Sequence, residues 1–250
     1  MQYVLYVTIA TKRLSSLKTR LHRPPSMAKP EPQPRTSRRS QADRRRLMRK
    51  RLVEATLATL VEAGYSGTTV SAIVRRAGVS RGAQLHHFPS KQQLMLETAE
   101  HLLKRAYKVM GEVLLAVATE DDRAQAVVES AWKELYGSQA FGAYFELAQA
   151  AQHDADLAQA LKALSQRFGR TISLASAHYF ESRAGAVSSA ESLFSMTHWV
   201  LGAIGATRHL QKDAEQTREM VRTWASLLSG QIKARRGVRL PPPRPPDWDG

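Results

Sequence analysis

Thr68-Thr69-Val70-Ser71-Ala72-Ile73-Val74-Arg75-Arg76-Ala77-Gly78-Val79-Ser80-Arg81-Gly82-Ala83-Gln84-Leu85-His86-His87-Phe88 decides the fold. The stretch reads as two short helices joined by a tight turn. The Thr69 hydroxyl can accept an orphan backbone N–H at the start of the first helix. Val70, Ile73, Val74 and Ala77 then recur at helical spacing. Gly78 follows where a left-handed residue stops a helix. Val79 plugs the angle between the two helices, and Ser80 caps the second. A helix-turn-helix of this kind can lay its second helix in a DNA major groove.

Working outward, Asp43 is placed to cap a helix running to about Ala63 and stopped by Gly64. Arg44, Arg45, Arg46, Arg49, Lys50 and Arg51 crowd its start, where positive charge opposes the helix dipole. DNA phosphate would compensate; a solvated charge run is the alternative. Leu52, Ala55, Thr56, Thr59 and Leu60 form its inner face, and Tyr65 is expected under the three-helix unit. Ser90 caps a fourth helix that runs towards Ala118 on Leu94, Leu96, Leu102, Leu103, Tyr107, Met110, Val113 and Leu114. Helical segments follow at about 122–137, 139–152, 155–182, 188–210 and 213–231, with Asp121, Ser188 and Asp213 as caps. No strand alternation and no internal repeat is evident. The fold class is all-α: an N-terminal three-helix DNA-binding unit and a C-terminal helical domain.

The quoted stretch resembles the DNA-binding region of the tetracycline-repressor (TetR) family. Thr69, Val70, Ile73, Ala77, Gly78, Val79, Ser80, Gly82, His87, Phe88, Lys91 and Leu94 stand at that family's motif positions. The resemblance covers roughly Arg46 to Ala106; beyond it only helicity and length agree. Two positions depart: Leu85 replaces the usual tyrosine, and Gln84 stands where an apolar residue is usual. Leu85 loses a phosphate hydrogen bond but can meet a thymine methyl. Gln84, if it points inward, needs a partner. The resemblance implies a two-fold dimer on a near-palindromic operator, because one recognition helix reads only a few base pairs.

The DNA-contacting set is Arg44, Arg45, Thr68, Thr69, Arg81, Gly82, Ala83, Leu85, His86, His87 and Lys91. Arg81 can take guanine O6/N7 or a phosphate. Gly82 and Ala83 let backbone approach the groove. By resemblance, His87 meets the phosphate backbone and His86 lies near base edges. Lys91 and the Thr69 hydroxyl are expected on phosphates at helix N-termini. Adjacent histidines do not share a helix face, so no metal site is expected.

Charge supports this reading. The chain of 250 residues carries +15 and no cysteine. Residues 44–94 hold ten Lys/Arg against two acids, whereas residues 95–232 hold thirteen against sixteen. A field concentrated on the helix-turn-helix attracts phosphate. Both tails are basic as well. The absence of cysteine fits a reducing cytoplasm, and no apolar run reaches the length of a membrane span. Residues 1–42 read as a Pro-rich tail, residues 43–106 as the DNA-binding domain, residues 107–232 as the ligand-binding and dimerisation domain, and residues 233–250 as a second Pro-rich tail. In the first tail, charge follows the apolar run Tyr3 to Ile9, the reverse of a secretory signal. Met27 is a candidate start of translation, leaving residues 1–26 upstream.

The C-terminal half is rich in aromatic residues, most of which a core would absorb. The resemblance implies a cavity among the middle helices for a small-molecule effector of unknown identity. Its candidate lining is Trp132, Tyr136, Phe141, Tyr144, Phe145, Gln149, Phe168, Ile172, His178 and His198. The last two helices are expected to form a four-helix bundle with a second copy through Met196, Trp199, Ala203, Ile204, Thr207, Val221, Trp224 and Leu228. Gly202 and Gly205 would permit close approach there; a monomer core is the alternative. No nucleophile with its base, phosphate loop or metal cluster marks an enzyme or calls for a cofactor. The reading is a ligand-responsive, sequence-specific regulator of transcription, with repression the majority expectation. A sequence-nonspecific architectural DNA binder is its rival, separable by comparing affinity for operator and random DNA.

Overall fold

The computed structural model describes residues 40–118, 120, 122–238 and 240. The first tail up to Arg39, Met27 within it, Asp121 and the second tail from Pro241 lie outside the described residues. Helix α1 spans Gln41–Gly67. Its cap is Ser40, not Asp43: the Ser40 hydroxyl accepts from the Asp43 N–H at 3.1 Å, and the Asp43 carboxylate accepts from the Ser40 N–H at 3.3 Å. This reciprocal box satisfies two orphan donors and sets a carboxylate against the local positive charge. Residues 41 and 42, read as tail, belong to α1. At Gly64 the backbone takes φ +68°, which breaks the helical path; only a short turn follows.

Helices α2 (Val70–Ala77), α3 (Arg81–His87) and α4 (Lys91–Ala116) begin on Thr69, Ser80 and Ser90. Each cap hydroxyl accepts the N–H three residues on, at 3.1 Å in every case. Gly78 adopts φ +61° between α2 and α3, as its place after Ala77 demands. Leu52, Leu60, Ile73, Phe88 and Leu94 close a core among these helices. Burial of Phe88 alone contributes about 1.5–3 kcal/mol.

Helix α5 (Arg123–Ala131) starts on Asp122, and passes into a π turn at Trp132–Tyr136. Helix α6 (Gln139–Ala150) follows, then α7 (Ala155–Tyr179), α8 (Ala190–Thr207) and α9 (Ala214–Gln231). Their caps are Ser138, Asp154, Ser189 and Asp213. Ser189 thus replaces the expected Ser188.

Residues 180–182 are not helical. Strand β1 (Phe180–Ser182) pairs antiparallel with β2 (Ile232–Ala234), Glu181 facing Lys233. Runs of three residues are too short to show alternation in the sequence. Long-range burial of Phe180 and Ile232 selects them, and the Glu181 carboxylate lies 3.2 Å from Lys233 Nζ across the pair. The body also extends beyond residue 232. Arg123, itself buried, donates to the carbonyls of Leu114 and Val238 at 2.8 and 2.9 Å.

Candidate nucleic-acid interface and ligand cavity

Helix α3 presents one face and buries the other. Arg81, Gly82, Leu85 and His86 are exposed, and Ala83 is half-buried. Gln84 is 1% exposed. Its side-chain amide donates to the Phe88 carbonyl at 2.5 Å, while its Oε1 has no protein partner. The inward position thus keeps the core direction of an apolar residue, with one polar atom left over. Leu85, 48% exposed, stands on the outer face beside Arg81.

The end of α3 is fastened by Arg49. Its guanidinium donates to the His87 carbonyl at 3.0 Å, pairs with Glu97 at 2.7 Å, and lies 4.3 Å from the Phe88 ring centroid. In sequence Arg49 is one of six basic residues; only the fold separates this fastener from exposed Arg44, Arg45 and Arg46. Those arginines, with Lys50, His86 and His87, line an open basic cleft. His87 is half-buried and its Nδ1 is buried without a partner. Burial first, then the nearby His86, Arg45 and Arg49 charges, hold its pKa below the ordinary histidine value. The neutral ring is therefore favoured.

Two of the expected DNA contacts are placed otherwise. Thr68 is fully buried, and its hydroxyl donates to the Gly64 carbonyl at 2.6 Å. It shapes the turn into α2 and has no surface to offer a phosphate. Lys91 is half-buried with Nζ 4.4 Å from the Tyr65 ring centroid, and burial lowers its pKa against the pull of Asp154. Thr69 is exposed as expected, with its hydroxyl engaged in capping.

Tyr65 joins the DNA-binding unit to the body. Its backbone N–H donates to the Glu146 carboxylate on α6, and its hydroxyl donates to Asp154 at 3.4 Å. Sequence reasoning missed Glu146 and Asp154 here, because neither contact has a local signal.

Between α4 and α7 lies an apolar cavity of about 350 Å³, walled by Met110, Leu114, Phe168, Ile172, Phe180 and Phe194 among others. A smaller space of about 50 Å³ shares Met110, Phe168, Ile172 and Phe194 and reaches Tyr136 and His198. Four expected residues, Tyr136, Phe168, Ile172 and His198, thus line these spaces. Phe141, Tyr144 and Phe145 pack as core around His198. Trp132 faces a separate open groove near Arg208 and Arg218. Gln149 is exposed and bonded to Gln152, and His178 bonds the Leu240 carbonyl at 3.1 Å. Neither lines a cavity, since each points away from the bundle interior. His198 is 5% exposed, with Nδ1 2.9 Å from the Tyr136 hydroxyl. Burial pushes its pKa down to about 4 and that of Tyr136 up.

On α8 and α9, Met196 and Trp199 are each 50% exposed and Leu227 is 61% exposed. Ala203 and Thr207 are exposed beside them, and Trp224 is half-buried. Ile204, Val221 and Leu228 are instead core of the protomer. Gly202 and Gly205 also serve contacts within the chain. A Cβ at Gly202 would fall 1.7 Å from Phe145 Cζ, and one at Gly205 2.6 Å from the Tyr136 carbonyl oxygen.

A presented helix, a basic flank and a hollow helical body make up a helix-turn-helix protein. Residues 52–98 match the family described as bacterial regulatory proteins, tetR family. It is 35% identical over 130 residues to the HTH-type transcriptional regulator CymR of Pseudomonas putida, a match covering 52% of this chain and 64% of that protein. The chain thus spans less than two-thirds of that relative. A transcriptional regulator of Rhodococcus sp. Rha1 superposes with TM-score 0.55 at 20% identity, covering 73% of this chain and 94% of that one. A transcriptional regulator of Saccharomonospora viridis, solved with choline, gives TM-score 0.55 at 15% identity over 76% of this chain and 100% of that one. These structures share the fold. The family and the curated relatives are regulators of transcription, not enzymes.

Proposed function

We propose that this protein is a cytoplasmic, ligand-responsive transcriptional regulator, a repressor that binds a near-palindromic operator as a homodimer. The observation that carries the reading is the course of α4. It starts beside the recognition helix, at Lys91, and its residues Met110 and Leu114 wall the cavity. A molecule filling that cavity acts directly on the helix that leads to the DNA-binding unit. Arg81 and Leu85 supply base readout, and Arg44, Arg45 and His86 supply the basic flank. Met196, Trp199, Ala203, Trp224 and Leu227 form the face for a second copy. Choline in the Saccharomonospora viridis protein supports a small-molecule effector for this fold; its identity here is a separate matter. Effector binding favours a state with wrongly spaced recognition helices, so operator affinity falls by a coupling free energy.

Selection of bound duplexes from a randomised DNA pool at near-physiological salt tests the reading. A recovered inverted repeat is expected. Binding without any enriched motif would overturn it in favour of sequence-nonspecific architectural binding.

A further inference from the structure

The cavity between α4 and α7 is fitted to one chemical class. Its volume of about 350 Å³ equals about a dozen waters at roughly 30 Å³ each. That is the scale of a small organic ligand. Two hydroxyls of its wall, and one of the smaller space beside it, are already committed. Thr171, Ser176 and Thr197 donate to carbonyls of their own helices at 3.1, 2.9 and 2.8 Å. Lys108 and Glu112 stand at the rim; both are exposed, of opposite sign and about one helical turn apart. They leave no single charge to select an ion. The inner space adds no charged residue to the wall, only His198 and Tyr136 as titratable groups.

That pair has a useful property. The Tyr136 hydroxyl and His198 Nδ1 are 2.9 Å apart, and one proton lies between them. If tyrosine donates, Nε2 carries the remaining proton and the phenol oxygen can accept. If Nδ1 donates, the hydroxyl keeps a proton to give and Nε2 can accept. Either way one donor and one acceptor remain, without net charge. Rings of Phe141, Tyr144, Phe145, Phe168 and Trp199 surround His198 at centroid distances from 5.1 to 6.4 Å. An imidazolium is disfavoured there by desolvation. An ionised ligand head at this end would likewise be desolvated with no counter-charge.

We infer that the cavity and the smaller space beside it, which share Met110, Phe168, Ile172 and Phe194 as walls, together take an uncharged, largely apolar small molecule whose one hydrogen-bonding group sits in the smaller space against the His198–Tyr136 pair. The inference rests on the ligand-responsive reading above and specifies the ligand for that same cavity.

Three probes with one apolar body separate the possibilities: para-tert-butylphenol, para-tert-butylbenzoate and para-tert-butylbenzyltrimethylammonium. Calorimetry on the full chain is expected to show the phenol binding at least about a hundredfold more tightly than either ion. tert-Butylbenzene, lacking the polar group, is expected about tenfold weaker than the phenol. Replacement His198→Phe should reduce that tenfold preference. Tyr136→Phe, which keeps the ring, should also reduce it and guards against misfolding of the first variant, and the double variant should erase it. Equal or tighter binding of an ion, or no phenol binding up to its solubility, overturns the inference. Operator affinity is read in parallel. Operator release by an ion and not by the phenol sinks the ligand class and leaves the regulator intact. Phenol binding with unchanged operator affinity keeps the class and removes the ligand response.

Discussion

The DNA-binding unit and the helical body are held in place by different kinds of contact. In the unit, every helix start is set by a side chain three residues from the N–H it accepts: Ser40 with Asp43, Thr69 with Ala72, Ser80 with Ala83, Ser90 with Gln93. In the body similar caps occur, but the shape depends on residues far apart in the chain. Gly202 meets Phe145, Gly205 meets Tyr136, and Tyr136 meets His198. A local device works wherever its short motif occurs. A distant contact works only if the whole bundle closes, so the body should be the more sensitive to single changes in its interior.

The sharpest test of that difference is Gly202→Leu. A Cβ alone would lie 1.7 Å from the Phe145 ring, and that ring is packed against His198. Overpacking this severe should cost about 3 kcal/mol, the upper end of the usual range, a large share of a typical domain's total. Urea unfolding should show the midpoint collapse. A midpoint within experimental error of the parent would mean that the body yields more easily than its packing suggests.

Acid provides the second test. His198 is neutral when folded, with its pKa near 4 against 6.5 for an unhindered histidine. Between those values the unfolded chain binds the proton that the folded chain refuses. Stability therefore rises with pH across this window and is lost as pH falls from about 6.5 towards 4. The loss amounts to about 3 kcal/mol. The variant His198→Phe should flatten that part of the profile. An unchanged slope in the variant would assign the acid sensitivity to other groups, half-buried His87 first among them.

What the sequence made legible follows the same division. Thr69, Gly78, Ser80 and Ser90 were readable because capping and left-handed glycine act within a few residues. The shared face of Arg81 and Leu85 was readable because residues four apart lie on one side of a helix. Thr68 was misread as a surface residue, since its burial depends on Gly64 turning the chain back. In the body, residue type identified aromatics but not which were wall and which were core. Tyr136 and His198 line the smaller space beside the cavity, Phe141 and Tyr144 pack as core around His198, and Gln149 faces solvent. Gly202 and Gly205 were correctly read as sites of close approach, but the partner proved to be the same chain. The β1–β2 pair left no periodic signal, for its two strands are each three residues long.

Function should separate from stability in the DNA-binding unit. Arg81 is exposed on α3, so Arg81→Ala should leave the unfolding midpoint within about 0.5 kcal/mol. Operator affinity should drop by about 1–3 kcal/mol if it grips a base edge. Titrations on the selected operator and on single-base variants of it check this. An equal loss on every sequence would reassign Arg81 to the phosphate backbone.

The smallest expected effect lies where the two regions meet. Gly64→Ala places a side chain at φ +68° and ψ 179°, a region essentially confined to glycine that costs an L-residue about 1–3 kcal/mol. Its Cβ would also lie 2.7 Å from Glu146 Oε1, so the carboxylate must swing away from the Tyr65 N–H that it accepts. The carboxylate is the far end of a flexible side chain and can move, which limits the cost. Stability should thus fall by about 1–3 kcal/mol. Glu146→Gln is the control, because an amide oxygen can still accept from Tyr65 and the backbone is untouched. If the contact transmits the effector signal, Gly64→Ala should shrink the ratio of operator affinities with and without effector, and Glu146→Gln should preserve it. A ratio equal in both variants and the parent would confine the Tyr65–Glu146 contact to stability, and place the coupling in α4 alone.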